Sequence, residues 1–269
     1  MNLSKRFIVK PSEKVKLSKH DPDDTAGLKD KHHAKERLDA NIERLAELQH
    51  LLYAENKHAL LVVLQAMDAG GKDGTIRHVM SGINPQGCRV TSFKVPSAEE
   101  ADHDFLWRIH KAVPPKGEIG IFNRSHYEDV LVVRVHQLVP KSVWSRRYHQ
   151  INLFEKLLAE NNVHILKFYL HISKQEQKER FQDRIRRPEK NWKVNPQDLE
   201  ERKKWPQYMR AFEDALSRCS TRYAPWYVIP SNKKWFRNLA VSQIIVETLE
   251  GLKMKYPPPC CDLSDLVIR

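Results

Sequence analysis

Cysteine is scarce in this chain. Four Cys stand among 269 residues (Cys88, Cys219, Cys260 and Cys261), and no C-x-x-C pair occurs. A disulfide-dense secreted scaffold and a cysteine zinc knuckle are thereby excluded, and a reducing, cytoplasmic setting is expected. The thirteen His include no H-E-x-x-H, which leaves them as ordinary surface or core residues. Nine Gly and 15 Pro are too few for a collagen-like or low-complexity chain. No apolar run approaches the roughly 18 residues of a membrane span. The charged first 19 residues lack the apolar centre of a signal peptide. Neither a membrane nor a leader is expected.

Positive charge is abundant. Lys and Arg number 46 against 34 Asp and Glu, a formal net charge of +12. Such a surplus favours an anionic partner: nucleic acid, anionic lipid or a phosphate-rich small molecule. Hydrophobic residues at 41% and charged residues at 30% describe a folded chain with a sizeable core. Its length suits a single domain spanning 1–269.

Residues 1–33 show little periodicity and read as an arm peripheral to the core. Leu38, Ile42, Leu45, Leu48, Leu51 and Leu52 recur at three- and four-residue steps and predict a helix over 34–55. Five short apolar, β-branched runs follow, at 60–64, 89–93, 119–122, 165–172 and 227–229. Helical patterns lie between or after them, at 73–81, 98–113, 143–161, from 174 onward, and 236–255. Ser97 with Glu100, and Ser173 with Glu176, carry the spacing of capping boxes. Strands alternating with helices predict an α/β fold, a parallel five-stranded sheet sandwiched by helices. Leu60-Leu61-Val62-Val63-Leu64, apolar at every position, fits a strand covered on both faces. The polar segment 180–204, interrupted by Pro188 and Pro196, reads as an insertion over the sheet.

The first run passes into Gln65-Ala66-Met67-Asp68-Ala69-Gly70-Gly71-Lys72-Asp73-Gly74-Thr75 and then a helix, the context of a P-loop. Gly70 and Gly71 permit positive φ and turn backbone N–H groups toward an anion. The helix start adds free N–H donors and partial positive charge. Lys72 can reach phosphate oxygens. The match to G-x-x-x-x-G-K-[ST] is imperfect. Ala66 stands at the first Gly, and Asp73 replaces the metal-holding hydroxyl, with Thr75 nearby. Asp68 is out of place in an anion loop unless a metal or an acceptor sits against it. The alternative is a tight turn with a solvated Lys.

The third run ends in Asn123-Arg124-Ser125-His126-Tyr127-Glu128-Asp129. Ligands of parallel α/β sheets bind outside the carboxyl ends of the strands, so this cluster should face the P-loop. Arg124 could neutralise a transferring phosphoryl group. Asn123, with Glu128 and Asp129 a few residues on, stands where a Walker B carboxylate would hold Mg²⁺. The basic segment 174–204 reads as a lid. Arg180 and Arg184, four apart, share a helix face and could fork around phosphate oxygens. A solvated charged face is the plain alternative.

These two motifs, with Arg187-Pro188-Glu189-Lys190-Asn191-Trp192-Lys193 and Tyr223-Ala224-Pro225-Trp226, resemble the family-2 polyphosphate kinases. Those enzymes are nucleotide phosphotransferases that use inorganic polyphosphate as donor. The resemblance runs from about residue 21 to about residue 257. It implies a thymidylate-kinase-like P-loop core with a helical basic lid, Mg²⁺ with Mn²⁺ as an alternative, and soluble homo-oligomers, dimer or tetramer. It also implies AMP, ADP and ATP as nucleotides and no nucleic-acid partner. Carried onto this chain, Asp68 resembles the Walker A aspartate that positions metal and acceptor phosphate, and Lys72 the phosphate-binding lysine. Asn123-Arg124 departs from the Asp-Arg of many relatives; with Glu128 and Asp129 it resembles the subgroup accepting both AMP and ADP. Asp68, Lys72, Arg124 and Glu128 are thus the expected catalytic residues. Gly70, Gly71, Lys72, Asp73, Gly74, Thr75, Asn123, Arg180 and Arg184 are expected to bind phosphates, and Asp68, Asn123, Glu128 and Asp129 the metal. Arg77, Arg89 and Lys94, with lid residues, are candidates for a polyphosphate track. Two rival readings stay open at this point: an ATP-dependent nucleotide kinase of the same fold, and a basic nucleic-acid-binding protein.

Overall fold

The five apolar runs form five strands: β1 (Ala59–Gln65), β2 (Cys88–Ser92), β3 (Ile119–Asn123), β4 (Val163–His171) and β5 (Trp226–Pro230). The computed structural model describes residues 2–261. The strands pair in parallel in the order β2-β3-β1-β4-β5, which puts β1 at the centre. In register, Leu64 of β1 faces Asn123 of β3 and Phe168 of β4. The ends of β1 and β3 therefore open on one edge, where both polar motifs begin.

Helices cover both faces. In chain order they are α1 (Leu3–Phe7), α2 (Lys31–Glu55), α3 (Lys72–Val79), α4 (Ala98–Asp102), α5 (Trp107–His110), α6 (Val132–Val135), α7 (Lys141–Glu160), α8 (Lys174–Arg186), α9 (Pro196–Lys203), α10 (Trp205–Cys219) and α11 (Lys234–Gly251). Side chains alternate along β1. Leu60, Val62 and Leu64 join a core with Leu45, Leu48 and Leu52 of α2 and Phe236, Ile244 and Ile245 of α11. Leu61 and Val63 join a second core with Ile151 and Phe154 of α7 and Phe212 and Leu216 of α10. The unbroken apolar run of β1 follows from this two-sided burial.

Three expectations differ from the structure. The arm is not peripheral in its packing: Leu3, Phe7, Val9, Val15 and Leu17 are buried. Ile8 forms an antiparallel bridge with Tyr227, and Val9 N–H donates to Trp226 O at 2.8 Å. The arm thus covers the free edge of β5, which would otherwise offer unpaired backbone groups. The helix expected over 98–113 is broken into α4 and α5. The Ser97–Glu100 capping box forms, but Asp104 interrupts: its carboxylate accepts from Leu106 N–H at 2.9 Å, a local bond that competes with the helix. Ser173 caps Glu176 N–H at 3.0 Å. The box is not completed, because the Glu176 carboxylate turns to Arg180 at 2.7 Å.

Candidate active site

Between β1 and α3 the backbone turns sharply. Ala69 (φ 59°) and Gly71 (φ 104°) take the left-handed conformation, Gly71 as the N-cap of α3. Gly70 is required for space rather than φ. A Cβ there would overlap Ala66 Cβ and lie 2.7 Å from Met67 O. The first bond of α3 runs from Thr75 N–H to Gly71 O at 2.9 Å. The N–H groups of Lys72, Asp73 and Gly74 precede it and are free of the helix ladder, the donor set an anion uses. Thr75 does not face outward: it is buried, and its hydroxyl donates to Gly71 O at 3.1 Å.

Lys72 Nζ lies 3.4 Å from Ala66 O. Loss of water, then the charge of Arg124, lower its pKa against the pull of Asp68, Glu128 and Asp73. Arg124 sits at the end of β3 with φ 62°, its N–H bound to Leu64 O at 3.2 Å. Its Nη2 donates to Asp68 Oδ1 at 3.1 Å. Burial works against its charge, but Glu128 and Asp68 outweigh it and raise its pKa. Glu128 is half-buried and its pKa is raised, first by loss of water, with the negative charge of Asp68 adding to it; Arg124, Lys72 and Gln65 pull the other way. Asp68, Arg124 and Glu128 line one cavity of about 450 Å³. Its other walls include Met67 and Leu131, Tyr208 and Phe212 of α10, and Asn195, Asp198 and Glu201 of the lid.

Not every expected site residue joins this group. Asn123 donates to Asp73 Oδ1 at 2.9 Å. Asp129 accepts from Arg147 Nη1 at 2.9 Å, and burial pushes its pKa up to about 6. It is bound to α7 through Arg147 and does not line the cavity of Asp68 and Glu128. Arg180 and Arg184 form no shared fork. Arg180 is buried; it donates to Ala69 O (2.8 Å) and Gly70 O (3.1 Å) of the phosphate loop and to Ser231 O (2.5 Å). Arg184 turns to Lys193 O and Asp198, both at 3.3 Å, inside the lid. The helical spacing puts the two on one face, but the unpaired loop carbonyls claim Arg180. Farther along the lid, Lys193 also reaches the P-loop, 3.9 Å from Asp73 Oδ2. Arg89 and Lys94 line a separate cavity of about 390 Å³ beside Trp107 and Lys111. Arg77 is exposed on α3.

Residues missed in the sequence hold the second motif. Lys167 of β4 is fully buried and donates to Glu155 Oε2 (2.5 Å), Tyr127 OH (2.8 Å) and Cys219 O (2.6 Å). His126 Nε2 lies 3.2 Å from the same Glu155. Loss of water opposes the Glu155 charge, but Lys167 and His126 prevail and lower its pKa. This network anchors the 123–129 loop to α7 and β4. A Lys near the centre of the mostly apolar run 165–172 is the signal that could have revealed it. On the other side, Gln177 Nε2 donates to Asp68 O at 2.9 Å.

A parallel sheet, a Gly-bearing loop opening a helix, its Lys, and a facing Arg and carboxylate pair define a P-loop phosphotransferase. Residues 28–257 match the family described as polyphosphate kinase 2, and the chain belongs to that family. It is 57% identical over 266 residues to the AMP/ADP-polyphosphate phosphotransferase of Meiothermus ruber, spanning 98% of this chain and all of that one. It is 52% identical over 266 residues to the ADP-polyphosphate phosphotransferase of Rhodopseudomonas palustris, spanning 94% and 92% of the two chains. The crystal structure of polyphosphate kinase 2 from Arthrobacter aurescens TC1 superposes with a TM-score of 0.95 at 43% identity, covering 98% of this chain and 94% of that one.

Proposed function

We infer that the chain transfers the terminal phosphoryl group of inorganic polyphosphate to AMP and ADP, giving ADP and ATP reversibly. The observation that carries this reading is the Asp68–Arg124–Glu128 group at the mouth of a Lys72 phosphate loop, in a chain of this family. A terminal phosphate oxygen of the acceptor attacks the end phosphorus of polyphosphate. A new P–O bond forms, and the bridging P–O bond breaks with its electron pair leaving on the shortened polymer. The attacking oxygen is already ionised near neutral pH, so no strong base is required. Lys72, Arg124 and the N–H groups opening α3 hold and neutralise the transferring group, and alignment does the rest. The 450 Å³ cavity, apolar at Met67, Leu131 and Phe212, suits the acceptor nucleoside.

Asp68 and Glu128 fit Mg²⁺, or Mn²⁺ in its place. Both carboxylates line one cavity, and the negative charge of Asp68 adds to the loss of water that raises the Glu128 pKa. Among the described residues there is no cluster of three or more His, Cys, Asp or Glu able to hold a metal. Mg²⁺ is commonly bound by one or two carboxylates with substrate phosphates and water. When bound, it would supply charge neutralisation to the phosphates. Asn123 and Asp129, committed to Asp73 and Arg147, are set apart from this pair. The same reading carries a cytoplasmic homo-oligomer without a nucleic-acid partner. Among the described residues no helix is long and apolar enough to cross a membrane.

An ATP-dependent nucleotide kinase is the rival. Initial rates with AMP and either polyphosphate or ATP as donor separate the two. Rapid ADP formation from polyphosphate and little from ATP is expected; the reverse order rejects the proposal.

A further inference from the structure

Arg237 stands in the first turn of α11 and is 2% exposed. Its Nε and Nη2 both donate to one neutral acceptor, Asn238 Oδ1, at 3.1 and 2.8 Å. Among the described residues no carboxylate pairs with it. A buried cation without a counter-ion is costly, and the start of a helix adds partial positive charge of its own. Burial, then the neighbouring Arg180, bring its pKa down to about 9.

The place it occupies is informative. A Cβ built on Gly71 would overlap Arg237 Nη1, lie 3.0 Å from its Cζ and 3.5 Å from Arg180 Nη1. A Cβ on Gly74 would lie 3.3 Å from Arg237 Nη2. The Arg237 guanidinium is therefore pressed against the backbone that opens α3. Arg180, beside it, has Glu176 as its own carboxylate. Asp73, the acid of the α3 turn, is held by Asn123 and lies 3.9 Å from Lys193. Among the described residues, Arg237 is thus a buried positive charge at the phosphate loop that no carboxylate balances.

We propose that Arg237 is a positioning residue whose counter-ion is the phosphate bound in the loop. It supports the Gly71–Gly74 backbone, and the anion supplies the negative charge that its burial lacks. Without phosphate it weakens the fold; with phosphate it strengthens binding. This rests on the polyphosphate reading above. A packing role alone would need only the volume of the side chain.

The test uses wild type, Arg237→Met and Arg237→Lys, with tripolyphosphate as the probe. Titration calorimetry gives affinity, thermal unfolding gives stability with and without the probe, and initial rates give the KM for polyphosphate. Arg237→Met is expected to unfold no lower than wild type without ligand. It should bind tripolyphosphate at least about tenfold more weakly, with a smaller thermal gain from the probe. Its KM for polyphosphate should rise by a larger factor than kcat falls. Arg237→Lys, which keeps the charge, should hold affinity within about threefold. Should the Met variant fail to fold, Arg237→Gln, which retains a donor for Asn238, gives the neutral arm. A neutral variant binding within about twofold of a binding wild type overturns this inference alone. A wild type that ignores tripolyphosphate overturns it together with the polyphosphate reading.

Discussion

Arg124 Nη2 donates to Asp68 Oδ1 at 3.1 Å and so joins the end of β3 to the loop after β1. The two residues follow adjacent strands, β1 and β3, which pair in parallel; burial opposes the Arg124 charge, but Glu128 and Asp68 raise its pKa and keep it cationic. The bond holds Asp68 in place while Lys72 and α3 present the phosphate donors. We therefore expect Asp68→Asn and Lys72→Ala each to lower turnover by at least about a hundredfold, roughly 2.7 kcal/mol of transition-state stabilisation. Neither should lower the unfolding temperature much, since both side chains are part-exposed. Steady-state rates beside a thermal melt check this.

Glu128 should decide between acceptors. AMP has one phosphate fewer than ADP, so its phosphate must reach the same place with different support. A carboxylate of raised pKa, sharing a cavity with Asp68, can hold a metal ion or its bound water there. Glu128→Gln is expected to reduce kcat/KM for AMP at least about tenfold more than for ADP, or about 1.4 kcal/mol. An equal fall for both acceptors would make Glu128 a general site residue.

The lid is tied to the loop unevenly. Gln177 and Arg180 at the start of α8 are buried and bound to the loop backbone. Beyond them the contact with the loop thins to Lys193, 3.9 Å from Asp73 Oδ2, while Arg184 pairs with Asp198 inside the lid. Trp192 is 78% exposed. Hydrogen exchange should slow on adding tripolyphosphate and ADP across Pro188–Lys193 and Pro196–Lys203, and change little at Gln177–Phe181. Identical exchange with and without ligands would reject lid closure.

His171 is buried, with Nε2 3.1 Å from His20 O. Burial, then His20, bring its pKa down to about 4. The unfolded chain therefore takes up a proton near pH 6.5 that the folded chain refuses until about pH 4. Its contribution is complete above pH 6.5 and is lost as pH falls toward 4, on the order of 3 kcal/mol in all. Urea melts between pH 7 and 4 should show a shallower fall in stability for His171→Gln than for wild type.

Much of this is legible in the sequence. The five strands are, because two-sided burial leaves runs such as Leu60-Leu61-Val62-Val63-Leu64 without a polar residue. The P-loop and the 123–129 motif are, because strand ends in a parallel sheet converge. The roles of the arginines are not. The step from Arg180 to Arg184 fixes a helix face, yet which acceptors claim each guanidinium depends on carbonyls at Ala69, Gly70 and Ser231, far away in the chain. Arg237 leaves no local mark, since an Arg in a first helical turn is commonplace and only the neighbouring Gly71 reveals its burial. The arm hides likewise: Leu3 and Phe7 share one face of the very short α1, and Val9, Val15 and Leu17 follow with no regular period.

The most direct measurement is nucleotide chromatography of purified protein incubated with AMP, Mg²⁺ and long-chain polyphosphate, with no ATP added. ADP should appear first and ATP after it, both ceasing when polyphosphate is exhausted or hydrolysed beforehand. AMP left unchanged by a folded protein under these conditions, with ADP made only when ATP is supplied, would contradict the assignment.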